Sequence, residues 1–241
     1  MAGFRVRPGS QEEQVGRLIL AAVLVLVLPG LPLGNYLIYP FTILTTWFHE
    51  MGHGLTALAL GMDFERLVIY PNGSGYAESS ARGEVSGISG ALIAAGGPIG
   101  PAFAGATLIL ASSRHTLWRP ALLVLAGVIA LSVLIWVRSL TGLVILPLVA
   151  TALAWTAWRG AGWLQRFALQ FLGVLGAMSM FRDWDYLFSE RTMIGGRSML
   201  SDTGAIEAGL FLPHWLWASL IVALSLTMIG TSLKYALNRE G

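Results

Sequence analysis

Long apolar runs without charged residues alternate with short polar links along almost the whole chain. A helix needs about 20 such residues to cross the hydrocarbon core of a bilayer. Runs that meet this requirement lie at about residues 17–36, 41–60, 87–111, 118–137, 140–158, 162–181 and 211–234. The pattern therefore predicts an all-α polytopic membrane protein with about seven transmembrane helices.

Two connections between these runs are longer than the others. The first, about 62–86, has two strand-like runs around Pro71, Asn72 and Gly73, which predicts a short β-hairpin between the second and third helices. The second, about 182–210, is rich in acidic residues and is interpreted as a loop. We interpret residues 1–241 as a single membrane-embedded domain. Its parts are an N-terminal tail and anchor helix (1–40), the second and third helices with their hairpin (41–111), helices four to six (112–181), and the acidic loop with the last helix (182–241).

Composition narrows the possible chemistry. Of the 241 residues 55% are hydrophobic and only 12% are charged, about half the charged fraction of a soluble domain. The chain has no cysteine, which excludes disulfides, thiolate metal sites and a cysteine nucleophile, so any metal must be held by His, Asp or Glu. No basic patch for nucleic acid is present. The distribution of Lys and Arg among the links favours a multi-pass protein of the cell membrane with a cytoplasmic N-terminus.

One polar cluster stands inside an apolar run. His49, Glu50 and His53 form the pattern H-E-x-x-H, in which residues four apart share one helix face and two imidazoles can bind one Zn²⁺. An ionised Glu near the middle of a membrane costs about 3 kcal/mol or more, so it needs a partner, water or a metal. A metal site is favoured, and the alternative is a polar cluster that holds helices together.

A catalytic zinc site needs at least one more protein ligand and an open position. Asp202, just before the last helix, is the first candidate, and its alternative role is a helix N-cap or a solvated acid. Asp185 and Asp183 are rival candidates, with pairing to a neighbouring arginine as their alternative role. The remaining histidines, His115 and His214, look interfacial.

Three blocks of the sequence together resemble the site-2 protease family of intramembrane zinc metalloproteases, in its compact branch without a PDZ insert. They are His-Glu-Met-Gly-His-Gly over residues 49–54, Ala-Gly-Gly-Pro-Ile-Gly-Pro over 95–101, and Ser-Asp over 201–202. The resemblance implies Zn²⁺ as cofactor, with His49 and His53 as zinc ligands, Glu50 as catalytic acid/base and Asp202 as the third ligand. The chain lacks the Asn-Pro-x-x-Asp-Gly type sequence that carries the late ligand in better-known members.

The Gly-rich block and the hairpin can also be interpreted from their own residues. Gly96 and Gly100 are spaced as G-x-x-x-G, which would bring the third helix close to the second around the metal, although ordinary helix packing explains them equally well. In related proteases a hairpin in this position presents an edge strand. We therefore expect residues 64–70 or 76–81 to pair with an unwound substrate, with Leu67, Val68, Ile69 and Tyr70 as the proposed contacts. A surface hairpin without a substrate role is the alternative.

These features together predict a zinc endopeptidase that cleaves transmembrane segments of other membrane proteins within the lipid bilayer. A divalent-cation transporter is the main alternative, because intramembrane His and carboxylate groups also form transport sites. It is less favoured because the polar groups form one compact cluster rather than a series along a path. An inactive family member that binds membrane helices is a third possibility. The sequence carries no sign of oligomeric state.

Overall fold

A computed structural model describes residues 11–238. Its elements are α1 (Gln11–Val27), α2 (Gly34–Ala59), β1 (Asp63–Ile69), β2 (Gly75–Ser80), α3 (Gly87–Ser112), α4 (His115–Ile135), α5 (Leu140–Arg159), α6 (Gly162–Arg182), α7 (Trp184–Leu187), β3 (Arg191–Ile194), β4 (Arg197–Leu200), α8 (Asp202–Leu210) and α9 (His214–Asn238). The first ten residues of the predicted N-terminal tail lie outside the described residues.

Within residues 11–238, six helices are long and apolar enough to cross a membrane. They are α1 with the turn that follows it, α3, α4, α5, α6 and α9. These helices match six of the seven predicted runs, and they make the chain a multi-pass membrane protein. The remaining run, 41–60, falls in α2. This helix has 26 residues but carries the His and Glu cluster together with several threonines. A count of seven spans therefore stays a prediction.

The boundary between the first two predicted runs is wrong. The first run was predicted to continue to residue 36 and the second to begin at 41, but α1 ends at Val27 and α2 already begins at Gly34. A 3₁₀ turn over Leu28–Gly30 separates them, with a proline in its first positions. Pro40 lies inside α2, where it removes a single backbone hydrogen bond without ending the helix.

Two helices form the centre of the bundle. In the membrane-spanning window of α6 67% of residues are buried, and in that of α3 50%, against 22% in α4 and α9. Glycines let these central helices touch through their backbones. A Cβ added to Gly105 of α3 would lie 2.6 Å from the carbonyl oxygen of Gly173 on α6, and one added to Gly52 of α2 would lie 2.1 Å from that of Gly96 on α3. The Gly-rich block of α3 therefore does bring α3 against α2.

The first hairpin, formed by antiparallel β1 and β2, lies between α2 and α3. The outer edge of β1 is occupied by the link between α4 and α5. The Leu67 N–H donates to the carbonyl of Trp136 at 2.8 Å, and the Leu67 carbonyl accepts from the Arg138 N–H at 2.9 Å. The Ile69 N–H donates to Ser139 Oγ, also at 2.9 Å. The open edge of this sheet is therefore β2.

The segment predicted as an acidic loop is structured. It contains α7, a second antiparallel hairpin of β3 and β4, and α8. The two residues at the hairpin turn, Gly195 and Gly196, both have positive φ angles, of 55° and 79°. This geometry suits a two-residue hairpin turn, and adjacent glycines adopt it without strain.

Candidate active site

The second half of α2 carries His49, Glu50 and His53. The ring centroids of the two histidines lie 4.9 Å apart, as expected for residues four apart on one helix face. The Nδ1 atom of His53 lies 2.7 Å from the backbone carbonyl of Ile93 on α3. Because a carbonyl can only accept, Nδ1 carries the proton of this hydrogen bond. The Nε2 atom of His53 is then left free to bind a metal.

Asp202 reaches the same point as the first residue of α8. Ser201 caps this helix, since its Oγ accepts from the backbone N–H of Gly204 at 3.0 Å. The carboxylate of Asp202 is therefore not used as the cap. The neighbouring Thr203 is fully buried and donates through Oγ1 to the carbonyl of Leu187 at 2.7 Å. These hydrogen bonds fix the direction in which the Asp202 side chain projects from α8.

His49, His53 and Asp202 together could hold a metal ion. Asp202 Oδ2 lies 3.0 Å from His49 Nε2, and Asp202 Oδ1 lies 3.2 Å from His53 Nε2. Three ligands at about 2.0–2.1 Å from a tetrahedral zinc would stand about 3.3 Å apart, close to these separations. Asp202 Oδ2 is buried, and its contact with His49 Nε2 lacks the geometry of a hydrogen bond. A buried carboxylate oxygen in that condition is costly unless a cation completes the site.

Gly97 of α3 leaves room for the two imidazole rings. A Cβ added there would lie 2.1 Å from His53 Nε2, 2.3 Å from His53 Cε1 and 2.8 Å from His49 Nε2. Any side chain at this position would therefore clash with the His53 ring and displace it. Because Gly97 has no side chain, α3 can pack closely on α2 while the two Nε2 atoms stay free to bind a metal.

Glu50 lies beside the metal ligands and faces the first hairpin. Only 5% of its surface is exposed. The backbone N–H of Ala77 on β2 faces its carboxylate, and a Cβ added to Gly75 would lie 3.1 Å from Glu50 Cγ. Glu50 is therefore enclosed between the metal ligands and the strand β2, where a general acid/base can reach both a water and a peptide group.

Comparison with known proteins identifies the family. A family model described as Peptidase M50B-like matches residues 17–232, which cover most of the chain. The chain belongs to the Peptidase M50B-like family. This is the site-2 protease family that the sequence motifs resemble, and it is a family of membrane metalloproteases. No curated protein and no solved structure matches the chain.

Other acidic candidates of this M50B-like chain do not join the metal group. Among the described residues, His49, His53 and Asp202 are the only group of three or more His, Asp or Glu residues whose ligand atoms all lie within 4.8 Å of one another. Asp185 is exposed on α7, where its backbone carbonyl accepts from Ser189 Oγ. Asp183 lines the cavity beside His49 without entering the group.

The two remaining histidines lie elsewhere. The ring of His115 stacks edge-on against Trp118 at the start of α4. His214 begins α9, and both its backbone N–H and its ring Nδ1 hydrogen-bond the carboxylate of Glu207, at 2.7 and 2.8 Å. These bonds hold the pKa of Glu207 below its ordinary value. His214 therefore has a structural role in joining α8 to α9.

Tyr186 is a residue of the site that the sequence patterns did not indicate. Its ring lies 6.0 Å from that of His49 in an edge-on arrangement, and its hydroxyl lies against Asp202. Tyr186 belongs to α7, which follows α6 directly. The only signal in the sequence was its position in the same short acidic segment as Asp183 and Asp185, which attracted attention for their carboxylates alone.

The substrate contacts predicted on β1 do not lie next to Glu50 and the candidate metal ligands. Leu67 and Ile69 are buried in the core, and their outer backbone groups are already bonded to the link between α4 and α5. Val68 is half-buried, and Tyr70 packs its ring against the backbone of Gly195 in the second hairpin. The strand that faces Glu50 is β2, so the alternative range 76–81 is the one adjacent to the metal ligands.

Proposed function

We propose that this chain is an intramembrane zinc metalloendopeptidase that hydrolyses peptide bonds in or near transmembrane segments of membrane proteins. The observation that carries the proposal is the convergence of His49, His53 and Asp202 beside Glu50, in a chain of a metalloprotease family. We also propose that the protein resides in the cell membrane with a cytoplasmic N-terminus, as the distribution of positive charges favours.

Zinc suits the donor set best. Two imidazoles and one carboxylate, with no thiolate, are typical of catalytic zinc sites that keep a fourth position open. When bound, Zn²⁺ would supply a Lewis acid that polarises the scissile carbonyl and makes a water more acidic. His49, His53 and Asp202 would hold the ion, and the carbonyl of Ile93 would fix the orientation of the His53 ring.

Glu50 performs the proton transfers of the proposed reaction. Its carboxylate accepts a proton from the attacking water while the water oxygen bonds to the scissile carbon. Glu50 then delivers this proton to the amide nitrogen as the carbon–nitrogen bond breaks, which releases a free amine and a carboxylic acid. Its burial excludes bulk water, so the transferred proton stays between the carboxylate and the reacting atoms.

The open edge of β2 is the proposed docking strand for the unwound substrate. Leu67 directs both its backbone groups away from β2, so its partner Ala77 directs its own N–H and carbonyl away from β1. Gly75, opposite Ile69, has the same orientation. A substrate strand could therefore extend the sheet next to Glu50, where it would take over the Ala77 N–H that faces the Glu50 carboxylate.

Strand addition can be tested with synthetic substrates methylated on single backbone nitrogens. Because only every second N–H of an added strand faces β2, cleavage should fall about tenfold at alternate positions and little at the positions between them. The measurement is the cleavage rate of each peptide in detergent or lipid. Equal sensitivity at every position would contradict pairing with an edge strand.

The protease proposal is tested by Glu50→Gln. This variant should bind zinc as the wild type does but lose cleavage of a co-reconstituted membrane substrate by a factor of about 10³ or more, because the proton transfers are lost. Glu84→Gln, at an exposed position of the loop before α3, is the matched control. Retained cleavage in Glu50→Gln would refute the mechanism, and zinc flux into proteoliposomes that survives Glu50→Gln would favour a transporter.

A further inference from the structure

Two cavities meet at the catalytic residues and lie on opposite sides of Glu50 along α2. The first has a volume of about 320 Å³ and follows α2 from Thr42 to Glu50. The second, of about 350 Å³, extends past His53 towards α3. Both are lined by His49, Glu50 and Gly75. An extended peptide whose scissile bond lies at Glu50 would therefore place one flank in each cavity.

Polar side chains predominate in the wall of the first cavity. Apart from the catalytic residues, they include Thr42, Asn72, Ser74, Arg182 and Asp183, and two apolar side chains, Met193 and Ile194, complete the wall on one side. Arg182 donates to Thr42 Oγ1 at 3.4 Å. Since Arg182 and Asp183 carry opposite charges, this wall offers hydrogen bonds without a strong preference for either sign of charge.

The second cavity has a more apolar wall away from the catalytic residues. Besides Tyr76 and Ser79 of β2 and Tyr186, its other side chains are aliphatic, among them Met62, Val85, Ile93, Met199 and Leu200. A charged or strongly polar substrate side chain would lose water there and find few partners. An apolar one would gain about 25 cal/mol for each Å² that it buries.

We propose that the enzyme cleaves membrane segments where an apolar run gives way to a short run of uncharged polar residues, with the polar flank bound in the cavity lined by Thr42 and Asn72. This inference rests on the proposed protease function and adds its substrate class. Apolar side chains in the first cavity would leave polar wall groups without partners, so the two flanks are not interchangeable.

The test uses reporter membrane proteins with one cleavage site, located by mass spectrometry of the products. Four residues on either side of the scissile bond are set to Ser, Thr and Asn or to Leu and Val. We expect kcat/KM to fall about tenfold when the polar flank is made apolar, and by a similar factor when the apolar flank is made polar.

Two variants connect these preferences to the cavities. Thr42→Val should reduce the preference for a polar flank several-fold, and Met199→Ser should reduce the preference for an apolar residue on the other flank. The control Thr227→Val removes an exposed hydroxyl on α9 that bonds only to the Ala223 carbonyl of its own helix. It should leave both preferences unchanged. Zinc content checks that each variant is folded.

Equal preferences on the two flanks would overturn the inference, as would preferences that both variants leave intact. Such a result would leave the protease function standing, because the reporters would still be cut. If the wild type bound zinc and cleaved no reporter of the series, the proposed function itself would fail, and the substrate class would fail with it.

Discussion

The candidate metal site is built from two sides that differ in how their residues are positioned. On the α2 side, His49 and His53 share one helix face, and α2 touches α3 backbone to backbone at Gly52 and Gly96. On the α8 side, Asp202 begins a helix of nine residues, and polar contacts at its start tie it to the chain before the second hairpin. The histidines are positioned by helix geometry and by close backbone packing beside the ligands. Asp202 is positioned by hydrogen bonds at the start of α8, while the rest of α8 packs on α3 through Ile206 and Gly209.

This difference has a physical consequence. A change on the α2 side meets a packed backbone that cannot move far, so a small added volume acts directly on the ligands. The loss of one hydrogen bond on the α8 side leaves the packing of α8 on α3 in place, so the loss of metal binding should be graded. We therefore expect substitutions near His49 and His53 to have larger effects on metal binding than substitutions that support Asp202.

Gly97→Ala should have the largest effect of the changes that leave every ligand in place. Its methyl group would lie 2.1 Å from Nε2 and 2.3 Å from Cε1 of His53, so the imidazole ring would have to leave its position as a metal ligand. We expect almost no bound zinc in the purified variant and no protease activity, although the helices still form. The measurement is zinc content by atomic spectroscopy, together with thermal unfolding in detergent.

Gly127→Ala is the matched control for this substitution. A Cβ at Gly127 on α4 would have no atom within 4 Å. This variant should bind zinc and cleave substrate as the wild type does. Full zinc occupancy in Gly97→Ala would show that α3 can retreat from α2, and the contrast between the two sides of the site would then be wrong.

Asp202→Ala should have the next largest effect. It removes one of three ligands, and we expect zinc affinity to fall more than about 100-fold, beyond the loss typical of a residue that only supports a ligand. Asp185→Ala is the control, because Asp185 is exposed and outside the metal group. The measurement is competition with a chelator of known affinity. Unchanged affinity in Asp202→Ala would refute its assignment as a ligand.

The sequence predicted the parts of the molecule that depend on neighbours along the chain. Six of the membrane helices follow from uninterrupted apolar runs, and the shared face of His49 and His53 follows from their spacing of four residues. The turn residues between the two strand-like runs indicated the hairpin of β1 and β2. Each of these features depends on residues that are close along the chain: a hydrophobic run, a spacing of four residues or a turn sequence.

Features that depend on contacts between distant segments were not predictable. Asp202 was the first candidate for the third ligand, but Asp185 and Asp183 stayed as rivals because the spacing of these acids does not state which of them meets α2. The four-residue link between α4 and α5 looked like a simple connection, yet it occupies the outer edge of β1 at Leu67. Gly97 stood in a row of small residues, and only the packing of α3 on α2 separates its role from that of Gly96.

Thr203→Val should have the smallest effect of the series, and it examines the α8 side without removing a ligand. Thr203 is buried and donates to the carbonyl of Leu187, and valine keeps its shape but not this hydrogen bond. Leaving the carbonyl unpaired costs about 1–3 kcal/mol, which loosens the start of α8 next to Asp202. We expect zinc affinity to fall about tenfold, at the lower end of the range for residues that support a ligand.

The control for Thr203→Val is Thr151→Val on α5, where an exposed hydroxyl bonds only to the Pro147 carbonyl one turn earlier. Chelator competition should show wild-type affinity in this control. If Thr203→Val also kept wild-type affinity, the remaining contacts at the start of α8 would be enough to hold Asp202. If instead it lost as much zinc as Asp202→Ala, the α8 side would be as intolerant of change as the α2 side. Either result would contradict the proposed difference between the α2 side and the α8 side. That difference predicts a partial loss of zinc affinity where hydrogen bonds position the ligand, and a nearly complete loss where a packed backbone does.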